Sequence, residues 1–133
     1  MEDVKNLLRE KNILSHTNQG ILVAKVASDQ LGLQLAEMIL SAMVDTHTLF
    51  LLSGGRTPKS LYGSLAVAES MQPAAVGMID ERYGPKWHNA SNELMIRETG
   101  LLRYFEMRGI PFFPINDGHT REETAEQYDE KLR

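Results

Sequence analysis

The sequence is 133 residues long, and its 42% hydrophobic and 24% charged residues are ordinary for a globular protein. A net charge of -4 with scattered basic residues argues against a nucleic-acid surface, and the absence of cysteine excludes disulfides and thiolate metal sites. The acidic start Met1-Glu2-Asp3 is unlike a signal peptide and no apolar run could cross a bilayer, so we expect a cytoplasmic protein that binds no membrane.

The first third of the chain predicts a helix, a turn, a strand and a second helix. Residues 3–11 have apolar side chains on one side, residues 15–20 are typical of a turn, and residues 21–26 favour a strand. Ser28 or Asp29 caps the second helix, whose apolar residues recur at helical spacing. We interpret this apolar stripe as core packing and not as a cofactor site.

The segment from Leu49 to Pro58 combines an apolar run, a glycine pair and a helix start. The apolar run predicts a buried strand, and Thr57 as N-cap with Pro58 in the first helical position predicts a helix. The pattern therefore indicates a strand, a tight turn and a helix. It contains neither a P-loop nor a dinucleotide-binding fingerprint.

The glycine turn in this segment predicts an anion site. A helix N-terminus offers unpaired N–H groups and a positive dipole end, and Gly54 and Gly55 allow an anion to approach the backbone. Because the dipole contributes only about 0.3–1 kcal/mol, a phosphate site also needs a side chain, such as Arg56 or an arginine from another loop. A βα turn that uses glycine for its own geometry remains the alternative.

A third apolar strand, residues 74–79, ends in the charged run Asp80-Glu81-Arg82. In open α/β sheets ligands bind at the carboxyl ends of the strands, so these charges are candidates for ligand binding. A solvated loop is the alternative interpretation.

The remaining elements complete an alternation of strands and helices. Ser91 starts a helix, residues 109–115 predict a short edge strand, and Thr120 with Glu123 forms a capping box for a last helix. This alternation predicts an α/β fold with a doubly wound, mostly parallel, Rossmann-like sheet and flanking helices. Because no strand follows the last helix, we expect residues 1–133 to form a single but incomplete domain.

Four segments, in the same order along the chain, resemble the 6-phosphogluconolactonase family, within the group that includes glucosamine-6-phosphate deaminase. They are Leu52-Ser53-Gly54-Gly55-Arg56-Thr57-Pro58 with Leu61-Tyr62, Asp80-Glu81-Arg82 with Pro85, Ser91-Asn92 with Met95 and Leu101-Leu102, and, more weakly, Ala125 to Leu132 with Glu126 and Tyr128. The resemblance covers nearly all of this chain but only the N-terminal part of the family's domain.

The resemblance implies a hydrolase of 6-phosphogluconolactone in the pentose phosphate pathway, with a sugar phosphate as ligand and no cofactor or metal. The residues it implies at the substrate phosphate are Ser53, Gly54, Gly55, Arg56, Thr57, Arg82 and Asn92. Asp80 would orient substrate or water, and the matching aspartate of the deaminase branch is the proton-abstracting base. Ser91 and Asn92 are equally explained as a helix cap. The alternatives are a deaminase or isomerase of glucosamine 6-phosphate and a non-catalytic sugar-phosphate binding module.

The sequence departs from the family pattern in two ways. Arg56 stands where the lactonase motif usually has serine. The family's Asp-Gly-His segment, whose histidine is the general base, normally comes after the helix with which this chain ends. Asp117-Gly118-His119 reads like that segment but precedes a helix cap, so we interpret it as unrelated and expect weak or no turnover by these residues alone. An unpaired sheet edge also makes a homodimer possible.

Overall fold

The computed structural model describes all 133 residues and contains six helices and four strands. Their bounds are α1 Glu2–Glu10, β1 Ser15–Asn18, β2 Ile21–Ala24, α2 Asp29–Met43, β3 Leu49–Leu52, α3 Lys59–Ala68, β4 Ala75–Met78, α4 Asn92–Glu98, α5 Leu101–Met107 and α6 Arg121–Leu132. The chain divides into two compact units, Met1–Ile39 and Leu40–Arg133. No helix combines the length and apolar character that crossing a membrane requires.

The first unit contains a β-hairpin where the sequence predicted only a turn. Strand β1 pairs antiparallel with β2, and Asn18 lies opposite Ile21. The two residues between them, Gln19 and Gly20, have φ of +48° and +80°, as in the tight hairpin turns that match the twist of the strands. The prediction of a turn over residues 15–20 was wrong for β1, because every residue of that polar strand is exposed and leaves no alternating pattern.

The second unit is built on a parallel pair of strands. Strand β3 pairs with β4, with Leu49 opposite Ala75 and Leu52 opposite Met78. On the other side of β4, Phe112 forms a single parallel bridge with Val76, which is the short edge segment that the sequence predicted. The predicted α/β class with a parallel sheet is confirmed for this unit.

Apolar side chains from both strands and from α3, α4 and α5 form the core of the second unit. Its fully buried members include Leu52, Leu65, Met71, Val76, Met78, Ile96, Leu101, Leu102 and Phe105. Burying each large apolar side chain contributes about 1.5–3 kcal/mol. This packing fixes the carboxyl ends of β3 and β4, where the charged and glycine-rich segments begin.

Most of the predicted helix starts are confirmed. The Ser28 hydroxyl accepts the N–H of Leu31 at 3.1 Å, the Ser91 hydroxyl accepts the N–H of Leu94 at 3.1 Å, and Thr120 with Glu123 forms the predicted capping box. The single helix expected after Ser91 is instead the pair α4 and α5. Gly100 interrupts it with a φ of +85°, a left-handed conformation that ends a helix.

The predicted start of α3 was wrong by one residue. Pro58 occupies the N-cap position, the helix begins at Lys59, and no side chain caps it. The N–H of Lys59 instead bonds to the carbonyl of Arg56 at 3.3 Å, so the chain turns tightly just before the helix. Thr57 belongs to this turn, which leaves its hydroxyl without a capping role.

Candidate functional site

The glycine-rich and charged segments leave the parallel sheet at the same edge. Strands β3 and β4 run in the same direction with Leu52 opposite Met78, and the N–H of Ile79 extends the ladder to the carbonyl of Leu52 at 2.9 Å. The segment after β3 therefore lies beside the segment after β4. We call the group Ser53–Thr57, Asp80–Arg82 and Ser91–Asn92 the strand-end site.

A buried tyrosine fixes the start of the glycine turn. The hydroxyl of Tyr62, from α3, accepts the N–H of Ser53 at 3.0 Å and donates to the carbonyl of Ser53 at 2.8 Å. Both backbone groups of Ser53 are thus occupied. Two residues later Gly55 has a φ of +92°, which strains any residue with a side chain.

The amides that follow Ser53 form no hydrogen bond within the protein. No carbonyl or side chain accepts from the N–H groups of residues 54–57, and Gly55, Arg56 and Thr57 are exposed. These amides directly precede α3, a helix of ten residues whose N-terminal dipole end is positive. Successive free amides at a helix start can bind a phosphate or carboxylate.

Asn92 joins the glycine turn to the acidic strand end. A Cβ atom on Gly54 would lie only 2.1 Å from Cγ and Oδ1 of Asn92, so the buried amide packs directly on the glycine backbone. The same amide donates through Nδ2 to the carbonyl oxygen and to Oδ2 of Asp80, each at 3.3 Å. The structure thus brings Gly54, Asp80 and Asn92 together.

Glu81 anchors the strand end to the start of α4. Its carboxylate accepts hydrogen bonds from four donors: the N–H of Arg82 at 2.7 Å, the hydroxyl of Ser91 at 2.9 Å, the N–H of Asn92 at 2.6 Å and the N–H of Glu93 at 3.0 Å. In the sequence Glu81 is one of three consecutive charged residues, and no separate role for it is predicted there. The only available signal was an acidic residue ten positions before a Ser-Asn helix start, which is too weak to identify the contact.

The backbone of Arg82 is held firmly, whereas its side chain is free. Its carbonyl accepts from Nδ2 of Asn116 at 2.8 Å and is bonded to Nε2 of His88, also at 2.8 Å. The guanidinium is exposed and forms no hydrogen bond or ion pair with the glycine turn or any other part of the chain. It therefore remains available to an anionic ligand, as does the side chain of Arg56.

An ion pair between buried Glu93 and half-buried Arg97 lies within α4. Glu93 is almost fully buried and bonds to Nε of Arg97 at 2.8 Å and to the indole N–H of Trp87. Arg97 also bonds to Glu106 at 2.9 Å. Burial alone would lower the pKa of the Arg97 guanidinium, but the hydrogen bonds to Glu93 and Glu106 outweigh burial and raise that pKa above its ordinary value. Because a buried carboxylate needs such partners, Glu93 fixes the first turn of α4 in place.

The Asp-Gly-His segment lies at the start of α6. Nδ1 of His119 is 2.6 Å from Oδ1 of Asp117, and this hydrogen bond lowers the pKa of the Asp117 carboxyl. The carbonyl of His119 accepts the hydroxyl of Tyr83 at 3.0 Å, and Thr120 caps the helix directly afterwards. The segment thus precedes a helix rather than following a buried strand.

Comparison with known families matches residues 23–133 to the family described as glucosamine-6-phosphate isomerases/6-phosphogluconolactonase. This chain belongs to that family. The match contains every residue of the strand-end site and leaves out α1 and β1. A search of curated protein sequences gave no significant match.

Three solved structures of 6-phosphogluconolactonases share the fold. The enzyme from Plasmodium vivax has a TM-score of 0.70 at 18% identity, over 98% of this chain and 47% of that one. The enzyme from Thermotoga maritima has a TM-score of 0.58 at 23% identity, over 78% of this chain and 49% of that one. The enzyme from Shewanella baltica OS155 has a TM-score of 0.57 at 24% identity, over 77% of this chain and 45% of that one. The chain thus spans slightly less than half the length of these structures.

Proposed function

We propose that this chain is the phosphate-binding part of a 6-phosphogluconolactonase. In this proposal the phosphate of the sugar accepts hydrogen bonds from the free amides of residues 54–57 and from the guanidinium of Arg82. The observation that carries the proposal is the contact of Asn92 with both Gly54 and Asp80, because it joins the three family motifs at one edge of the sheet.

The chemistry proposed for the complete site is hydrolysis of a lactone. Water attacks the carbonyl carbon of 6-phosphogluconolactone, the ring carbon–oxygen bond breaks, and the ring oxygen takes up a proton to give 6-phosphogluconate. Asp80, held by Asn92, is suited to orient a substrate hydroxyl or the attacking water. We expect little turnover from residues 1–133 alone, since the Asp117-Gly118-His119 segment directly precedes a helix cap and its histidine bonds to Asp117.

A calorimetric titration with 6-phosphogluconate tests the binding claim. We expect the chain to bind 6-phosphogluconate but not gluconate, which lacks only the phosphate. Arg82→Ala should weaken binding by about 1.5–3 kcal/mol, or roughly 10- to 100-fold, because a charge-assisted hydrogen bond is lost. The matched control is Arg103→Ala, which removes the same charge from an exposed position on α5 and should leave the affinity unchanged.

Two results would contradict the binding claim. One is equal binding of gluconate and 6-phosphogluconate, which would remove the phosphate from the recognition. The other is an equal loss of affinity in both arginine variants, which would indicate only a general effect of net charge. Binding without turnover in every assay would instead favour a sugar-phosphate binding module.

A second candidate is deamination or isomerisation of glucosamine 6-phosphate, because the family description names glucosamine-6-phosphate isomerases beside the lactonase. The order Asp80-Glu81-x-Tyr83-Gly84 favours this branch, whereas Arg82 and the Ser-Asn start of α4 favour the lactonase. Coupled assays on 6-phosphogluconolactone and glucosamine 6-phosphate, with the longest chain that the gene encodes, separate the two. Turnover of the amino sugar alone would reject the lactonase proposal.

A further inference from the structure

We infer that Glu81 is a positioning residue, which sets the separation between the glycine turn and Asp80 by fixing Asn92. Its effect on ligand affinity rests on the function proposed above, whereas its effect on the geometry of the turn does not. Glu81 itself is directed at the protein and not at a ligand, because all four of its hydrogen-bond donors belong to the chain.

The four donors divide evenly between the two carboxylate oxygens. Oε1 accepts from the N–H groups of Arg82 and Asn92, whereas Oε2 accepts from the hydroxyl of Ser91 and the N–H of Glu93. One oxygen thus ties the strand end to α4, and the other closes the first turn of that helix. This arrangement holds Asn92 at its main chain while its side chain enters the strand-end site.

The position of the Asn92 side chain then determines the spacing of the site. Its side-chain amide packs on Gly54 with no room for even one additional carbon, and Nδ2 of the same amide donates hydrogen bonds to Asp80. A displacement of Asn92 would release the turn and the aspartate at the same time. Glu81 holds the main chain of Asn92 through a hydrogen bond, and the side-chain amide of Asn92 contacts both Gly54 and Asp80.

Only a carboxylate can serve all four donors. A glutamine at this position has one accepting oxygen, and its NH₂ group would face two of the donors. Glu81→Gln must therefore give up either the N–H groups of Arg82 and Asn92 or the N–H group of Glu93, because only the Ser91 hydroxyl can turn to accept from the NH₂ group. A negative charge also suits the positive N-terminal end of α4, which the neutral amide cannot match.

The first test measures the geometry of the site without any ligand. In NMR spectra of the whole chain, Glu81→Gln should shift the side-chain amide of Asn92 and the backbone amides of Gly54 and Gly55. Fluorescence of Trp87, the only tryptophan, gives a second reading because its indole bonds to Glu93 in the first turn of α4. Unchanged signals at Gly54 and Asn92 would overturn the inference.

The second test measures affinity for 6-phosphogluconate. Glu81→Gln should weaken binding about tenfold or more, since the amides and Asp80 no longer face the ligand together. Ser91→Ala removes one of the four donors and keeps the charge, so its effect should be smaller. If Glu81→Gln does not fold, Glu81→Asp keeps the charge with a shorter reach and should still weaken binding, and an unchanged affinity in Glu81→Asp would overturn the inference.

A destabilised control separates positioning from a general loss of stability. Tyr104→Phe removes the buried hydrogen bond from that hydroxyl to the carbonyl of Met71, at 2.7 Å, near the opposite end of β4. It should lower stability but leave the affinity and the Gly54 signal unchanged. An equal loss of affinity in Tyr104→Phe and Glu81→Gln would overturn the inference. If the unmodified chain binds no 6-phosphogluconate, the proposed function fails, and the NMR test still decides the role of Glu81.

Discussion

Gly54 should be the least replaceable glycine of the turn, because Asn92 occupies the space of its missing side chain. In Gly54→Ala the new Cβ would lie 2.1 Å from Cγ and Oδ1 of Asn92 and 2.4 Å from Nδ2. An ordinary contact between these atoms needs about 3.5 Å, so the amide must move by more than an ångström. The buried side-chain amide of Asn92 cannot move that far and keep its hydrogen bonds to Asp80.

The expected cost follows from these contacts. Overpacking in a filled site costs about 1–3 kcal/mol, and each intramolecular hydrogen bond that is lost costs about 0.5–1.5 kcal/mol. The two bonds to Asp80 are long, at 3.3 Å, so they contribute at the lower end of that range. We expect Gly54→Ala to lower the free energy of unfolding by about 2–4 kcal/mol. For a chain of this size that corresponds to a melting temperature roughly 8–16 °C lower.

Thermal unfolding followed by circular dichroism measures this change, and a double-mutant cycle identifies its cause. In an Asn92→Ala background the clash is removed, so Gly54→Ala should be close to neutral. The control is Gly63→Ala in α3, where no atom lies within 4 Å of the added carbon. That substitution should raise stability by about 0.5–1 kcal/mol, because alanine is the better helix former. An equal cost of Gly54→Ala in both backgrounds would show that contact with Asn92 is not the cause of the loss.

Two further predictions concern α6. Tyr128→Phe should lower the free energy of unfolding, measured in urea, by about 2–4 kcal/mol. The reason is that the Tyr128 hydroxyl accepts the N–H of Met78 at 2.6 Å and donates to the carbonyl of Met78 at 2.7 Å. A loss under about 0.5 kcal/mol would contradict this assignment. The hydrogen bonds from Thr120 lower the pKa of Glu123 in the folded protein. The capping box should therefore stabilise the folded protein fully at pH values above the pKa that Glu123 has in the unfolded chain. This stabilisation should be lost as the pH falls through the pKa that Glu123 has in the folded protein. In melting curves from about pH 7 to about pH 3, Glu123→Gln should therefore lose part of this acid dependence, and an unaltered pH profile would show that the box contributes nothing.

The parts of the site that could be predicted from sequence are those with a local signature. The glycine turn follows an apolar run, and Ser91 and Thr120 carry the spacing of helix caps. The resemblance to the family also implied that Asp80 lies in the same cleft as this turn. The structure places Asn92 between them, at a position that the sequence explained equally well as part of a helix start.

The parts that could not be predicted depend on contacts between distant residues or on polar sequence without a pattern. Tyr128 bonds to Met78 across 50 positions, and the four hydrogen bonds of Glu81 depend on where α4 begins. Strand β1 is exposed throughout, so its sequence lacks the alternation of a half-buried strand. Gly100 divides a continuous helical pattern because its backbone turns left-handed, and a glycine inside such a pattern does not by itself predict a break.

The central claim is that the free amides of the glycine turn and the guanidinium of Arg82 bind one phosphate group. An NMR titration of the chain with 6-phosphogluconate, observing the backbone amides of residues 54–57 and Nε of Arg82, tests it most directly. We expect these signals to shift together with a single dissociation constant, and we expect inorganic phosphate to move the same signals at higher concentration. Shifts confined to other arginines and lysines, with the turn amides unmoved at saturation, would contradict it.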